Sequence, residues 1–221
     1  MKKFTLIFIG FFAVYATVLA QNFKKDIFGI RLGLNSSSMV ESAESFGMSI
    51  SAESGSRISF HVGVSYQHLI VPTIPLYLET GLYFTEKGFK QTLDYSSIPI
   101  LEPDITINAH KINTNAMYLK LPLLLNYHFI LGSNITIQPF AGFYLAYGIG
   151  GKMKIGGGKH NFFGDDRADR LDLGGRIGVG ATFDKIYIGI GYEPGLISIL
   201  DGEGDSTMKN KNWAFSIGYN F

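Results

Sequence analysis

The chain contains no cysteine. Disulfides, thiolate catalysis, cysteine-ligated zinc and a cysteine-linked lipid anchor are thereby excluded. Charge is scarce as well: Asp, Glu, Lys and Arg make up 17% of the residues, against about 25% in ordinary soluble domains. The net charge of +1 gives no basis for nucleic-acid binding. Past Ala20 there is also no long apolar run. Stretches such as Leu121 to Leu125 fall far short of the ~20 residues that a membrane helix needs. Yet 46% of the chain is hydrophobic. An apolar chain without spanning helices must bury its surface as a sheet, in a core or in lipid. A sheet in lipid must close on itself, because unpaired backbone groups are too costly there.

The N-terminus reads as a secretory signal. Lys2 and Lys3 precede an uncharged apolar run from Phe4 to Leu19, and Ala20 offers a small-residue cleavage site before Gln21. The expected division is a signal peptide at 1–20 and one domain at 21–221. The rival is a retained anchor, which the small residue at Ala20 and the absence of a cationic stop-transfer flank directly after it disfavour.

Between Asn212 and Phe221 every second side chain is large and apolar: Trp213, Phe215, Ile217, Tyr219 and Phe221. The intervening Ala214, Ser216, Gly218 and Asn220 are small or polar. Period-two alternation marks a strand with two unlike faces, and bulky-apolar against tiny-or-polar suits lipid outside and a narrow lumen inside. The same pattern predicts strands over Ile27–Asn35, Arg57–Gln67, Pro75–Lys87, Asn115–His128, Asn134–Gly148, Arg170–Phe183, Lys185–Pro194 and Asn212–Phe221. The connections alternate, with long ones at Ser36–Ser56, Gly88–Thr114, Ile149–Asp169 and Gly195–Lys211, and short ones at His68–Ile74, Phe129–Ser133 and Asp184-Lys185. That asymmetry belongs to outer-membrane barrels, with short periplasmic turns and longer external loops. The expected fold is all-β: an eight-stranded antiparallel transmembrane up-and-down β-barrel in the outer membrane. A soluble sandwich or barrel is the rival, but its solvated face would carry charge rather than Gly29, Gly33, Gly63, Gly81, Gly142, Gly174, Gly178, Gly180, Gly189, Gly191 and Gly218.

On these faces Arg31, Lys120 and Arg176 turn inward against Glu79, Asp172 and Glu193, and are expected to pair. With His61, Gln67, Tyr77, Tyr83, Asn126, Tyr144 and Tyr187 they predict a filled lumen rather than a wide pore. An ion path or an active site is the functional alternative. Tyr66, Tyr77, Phe84, Tyr127, Phe143, Tyr147, Tyr192 and Trp213 are expected to form interfacial aromatic girdles.

Leu78-Glu79-Thr80-Gly81-Leu82-Tyr83-Phe84-Thr85-Glu86-Lys87-Gly88-Phe89 resembles the third-strand signature of the PorT-like outer-membrane β-barrel family. Tyr118-Leu119-Lys120-Leu121-Pro122-Leu123-Leu124-Leu125 resembles its "YLxxPLLL" strand, and Phe215-Ser216-Ile217-Gly218-Tyr219-Asn220-Phe221 its closing strand. The resemblance implies an eight-stranded barrel whose terminal aromatic, Phe221, is recognised by the outer-membrane assembly machinery. One member of that family is tied to secretion of cell-surface proteins.

His61 shares a face with Ser59 and Ser65, and Glu79 lies on the next strand, so a hydrolytic triad acting on outer-membrane lipid is the alternative to a non-enzymatic role. A narrow channel is another. His68, His110, His128 and His160 show no paired metal-ligand spacing, and no cofactor is expected. The Gly- and Lys-rich stretch Gly150–Lys159 lacks the strand–loop–helix setting of a phosphate cradle and is expected to be a mobile external loop. Its cations, with Asp165, Asp166, Arg167, Asp169 and Arg170, are candidates to touch lipopolysaccharide or a partner protein.

Overall fold

The computed structural model describes residues 23–45, 48–93, 110–155, 158–164, 168–201 and 206–221. The expected signal segment, and Asp165, Asp166 and Arg167, lie outside the described residues.

Eight long strands form a closed antiparallel ring: β1 (Asp26–Ser45), β2 (Gly55–Leu69), β3 (Leu76–Lys87), β4 (His110–Tyr127), β5 (Ile135–Ile155), β6 (Leu171–Phe183), β7 (Ile186–Pro194) and β8 (Ser206–Asn220). Each pairs with its neighbours in sequence, and β8 returns to β1 from Gly29↔Asn220 to Ala43↔Ser206. The ring therefore leaves no sheet edge where it crosses a membrane. Among the described residues no helix is long and apolar enough to cross one; the strands do so.

The alternation read from the sequence sorts the two faces. Phe28, Leu34, Ile58, Leu82, Phe143, Ile177 and Phe215 are all exposed on the outer wall, Ile58 to 65%. A continuous greasy exterior of this size is untenable in water. In acyl chains each such side chain instead gains about 1.5–3 kcal/mol relative to exposure.

The short connections lie at the expected joins, but Phe129–Leu131 pairs with the start of β5, which narrows the expected Phe129–Ser133 connection to a turn at 132–134. The tightest is Asp184-Lys185, between the facing pair Phe183↔Ile186. Asp184 adopts a left-handed backbone, φ 56°, which a short polar side chain tolerates.

The long connections differ from expectation. β1 runs on to Ser45, β5 to Ile155, and β8 begins at Ser206, with Met48–Glu53, Phe89–Leu93 and Gly158–Asn161 paired alongside. Much of Ser36–Ser56 and Ile149–Asp169 is thus sheet rather than loop. Ser, Gly and Lys read as loop by composition, but a ladder satisfies the backbone whatever the side chains, and above a membrane both faces can be polar. The expected loop at Gly150–Lys159 is accordingly mostly a β-hairpin; Gly156 and Gly157 lie outside the described residues. One bulge interrupts this region. Met117 faces Gly150 while Tyr118 faces Gly148, leaving Ile149 as the extra residue. Beyond it, the even-numbered residues of β5 turn outward.

Glycine on the inner face makes room for rings. Tyr187 lies over Gly180 and Gly189, and a Cβ at either would run into its ring. Tyr144 lies in the same way over Gly174, its direct cross-strand neighbour.

Candidate functional site

The lumen is filled by charge. Among the described residues the buried ionic groups, apart from histidine, are Arg31, Lys87, Lys120 and Arg176 with Glu79, Asp172 and Glu193. Glu193 on β7 lies 2.6 Å from Lys120 Nζ and 3.1 Å from Arg176 Nη1, and accepts a third bond, 2.9 Å, from the Asn212 amide. Asp172 lies 2.9 Å from Lys87 Nζ and accepts from Asn210 at 2.8 Å and from the Tyr144 hydroxyl at 3.3 Å. These carboxylates are fully buried, and each is reached from several strands, as a charge in a low-dielectric interior requires.

The pairing corrects the expectation of three cations against three anions. Lys87 joins the set, two cations share Glu193, and neither Arg31 nor Glu79 has an ion-pair partner within 4 Å among the described residues. Arg31 donates to Asn220 Oδ1 at 2.6 Å and lies 4.0 Å over the Tyr187 ring. Glu79 accepts from Gln67 at 2.7 Å and Asn126 at 2.8 Å. Lys87 was legible: it has the inward parity of Tyr83 and Thr85, but it sits at the strand end, where membership of the lumen is hardest to judge.

The proposed triad does not assemble. Ser59 donates to the backbone carbonyl of Glu86, and Glu79 is engaged elsewhere. His61 instead bridges Asn35 Oδ1, 3.0 Å from Nδ1, and Ser216 Oγ, 2.9 Å from Nε2. The Asn35 amide nitrogen donates to Phe60, Thr85 and Glu86. Its oxygen is therefore the acceptor, so His61 Nδ1 carries the proton and Nε2 accepts from Ser216. Serine, histidine and asparagine stand in the order of a nucleophile, base and orienter, yet His61 is 3% exposed and packs edge-on to Tyr83. A hollow of about 990 Å³ on the outer wall lies over this row, but its rim is Leu32, Leu34, Phe60, Val62, Phe215 and Ile217, a surface for acyl chains.

The external mouth is closed by apolar packing that sequence reading missed. Met39, Phe89, Tyr118, Phe162, Phe163 and Ile199 are buried together. Phe163 packs edge-to-face on Tyr118, 5.5 Å between centroids, and on Phe162 at 4.9 Å. The available signal was the Phe162-Phe163 pair inside an otherwise polar connection. Above the cap is a cleft of about 650 Å³ lined by Met39, Met153, Met208, Phe89 and Ile112, with Glu41, Glu53 and Lys90 also lining it. Glu53 accepts from Lys211 Nζ and Ser38 Oγ, each at 2.7 Å. The Lys211 bond first, then the Ser38 bond, lowers the Glu53 carboxyl below its ordinary value, and the same contact raises Lys211.

Residues 19–201 match the outer membrane protein beta-barrel domain. The chain belongs to that family. Its place is therefore the outer membrane, with the start of β1 and the end of β8 at the short-turn end. No curated protein matches the chain in sequence. Among solved structures it is similar to Ail, the attachment invasion locus protein of Yersinia pestis, with 14% identity, TM-score 0.42, and coverage of 90% of this chain and 100% of that one. It is also similar to Neisserial surface protein A, with 13% identity, TM-score 0.46, and 88% and 97% coverage. The outer membrane protease OmpT from Escherichia coli matches at 9% identity, TM-score 0.46, with 90% and 96% coverage. None of these likenesses speaks to activity.

At the short-turn end of this outer-membrane barrel, Phe221 is exposed, its amide donates to the Phe28 carbonyl at 2.8 Å, and its own carbonyl accepts from Lys24. His68 and Tyr66 both bond Asp26, each at 2.7 Å. Of the expected girdle residues, Tyr147 and Trp213 are exposed and Tyr192 packs on Trp213 at 4.9 Å. Tyr77 is the exception. It is buried, stacks on His128 at 4.1 Å, and donates to the Lys24 carbonyl, because its parity is inward.

Proposed function

We propose that the protein is a non-enzymatic outer-membrane barrel with a closed lumen, working through its external end as a binding or secretion-accessory component. The reading is carried by the lumen itself: Lys120, Arg176 and Glu193 meet inside it, and the cap of Phe162, Phe163 and Tyr118 lies over the mouth. A pore wide enough for solutes has no place there. Functional contacts then fall to the β-extensions and the methionine-lined cleft they surround. The PorT-like motifs favour the secretion-accessory form of this reading. Phe221, exposed at the end of β8, suits recognition by the assembly machinery, and the mature chain begins at Gln21.

Planar-bilayer recording of the purified barrel tests the closed lumen: silence is expected, and stepwise conductance overturns it. The lipid-hydrolase alternative now rests on Ser216, His61 and Asn35. Outer membranes from a His61→Ala strain should show unchanged phospholipid and lipid A composition. A change restores the enzyme.

A further inference from the structure

Beyond the ring, four paired segments form an external patch: Phe89–Leu93, the start of β4, the end of β5, and Gly158–Asn161. Lys90 stands opposite Asn113, and Thr92 opposite Lys111. Lys154 stands opposite Asn113 on one side and Lys159 on the other, while Lys152 lies between Asn115 and Asn161. Residues opposite one another share a face. Lys90, Lys111, Lys152, Lys154 and Lys159 therefore lie on one face of the patch. On β4 that face is continuous with Leu119, Leu121, Leu123 and Leu125, which contact lipid lower down. The other face carries Phe89, Ile112 and Met153, turned toward the mouth.

The five lysines are exposed. Among the described residues none has a carboxylate within ion-pair range; the lysines so engaged are Lys87, Lys120 and Lys211. The four segments contain no Asp or Glu at all. Lys154 and Lys159 face each other directly, an arrangement that destabilises a hairpin unless an anion sits between. With a rise of about 3.3 Å per residue and a tilt near 40°, Lys152 stands about 10 Å above Tyr147, and Lys154 about 15 Å. That is close above the polar zone of roughly 5–7 Å that borders the hydrocarbon, and lysine stems bend toward such a boundary.

We propose that this lysine face binds the phosphate groups of anionic glycolipid, lipid A, in the outer leaflet. Ammonium groups take phosphate as point charges. Continuity with the Leu119–Leu125 wall selects a phosphate that carries acyl chains over a soluble one, because the chains can lie along that wall. The inference rests on the external end being the working end of the barrel.

The test titrates the full detergent-purified barrel with bisphosphorylated lipid A and with lipid A stripped of its phosphates, read by native mass spectrometry. The wild type should retain the phosphorylated form at a concentration about tenfold lower or better, and K152Q/K154Q/K159Q should lose that preference. The matching triple Lys→Arg variant should keep it. Equal retention of both lipids by the wild type overturns the proposal, as does a preference that survives in the Gln variant. Heparin displacing lipid A and binding more tightly also overturns it, in favour of a soluble polyanion. Heat-modifiable electrophoretic mobility checks that the variants fold; if they do not, the two wild-type titrations decide. Conductance is unaffected by these outcomes, so failure here is separate from failure of the closed lumen.

Discussion

Glu193 pairs with Lys120 of β4 and Arg176 of β6 and accepts from Asn212 of β8, so three strands converge on one carboxylate. Replacing it by glutamine leaves two buried cations facing a neutral amide. Removing one partner of a buried ion pair costs about 3–5 kcal/mol. Glu193→Gln should lower unfolding free energy by that order in urea titrations of vesicle-inserted protein. A loss below about 1 kcal/mol would mean that water reaches the site and screens the pair. At this scale the sequence revealed which side chains turn inward, because parity along a strand fixes the face. Arg31, Glu79, Lys120, Asp172, Arg176 and Glu193 are all buried as parity requires. It did not reveal who pairs with whom. That depends on distances across the lumen between strands far apart in sequence, such as Lys120 and Glu193. His61 likewise turns inward as its parity requires, while its hydrogen-bond partners, Asn35 and Ser216, lie on β1 and β8.

The strands themselves were legible where one face meets hydrocarbon, since lipid imposes strict alternation. Their external ends were not, because sheet above the membrane has no apolar face to announce it. Ser36 to Ser45 continues β1 without any such signal. The bulge at Ile149 hid the end of β5 further by shifting parity, so Lys152 and Lys154 fall on the outward face. One extension is held by its ladder to β1 and by the Glu53–Lys211 contact, which ties the Met48–Glu53 strand to β8. Glu53 titrates below its ordinary value near 4.5. Its contribution is therefore complete above that value and is lost as pH falls through the lowered one. Lys211 titrates above its ordinary value, so its contribution persists through neutrality and is lost only in strong alkali. Protection factors for the Ser54 amide, which donates to the Met39 carbonyl, should be flat from about pH 6 to 8 and drop below about pH 4. In Lys211→Met the acid drop should shrink. An equal drop in both proteins would assign it to other carboxylates.

For the whole molecule, everything depends on the outer wall meeting acyl chains along the middle of each strand and headgroups at the ends. Leu123 lies mid-strand on β4 between Thr80 and Phe143 and is 51% exposed. Ile58 is more exposed, but lies near the external end of β2, opposite Ser36. If exposure to water governed these positions, arginine would be tolerated at both, and better at Leu123 than any apolar residue. If lipid governs them, depth decides. Arginine near the bilayer midplane costs about 2–4 kcal/mol, and near the interface about 0–1. Leu123→Arg should therefore lose several-fold more folding free energy than Ile58→Arg when both are titrated with urea in vesicles. In detergent micelles, which deform around a charge more readily than a bilayer, the gap should narrow. Equal, small costs in vesicles would place Leu123 in water and remove the membrane from the account of this fold.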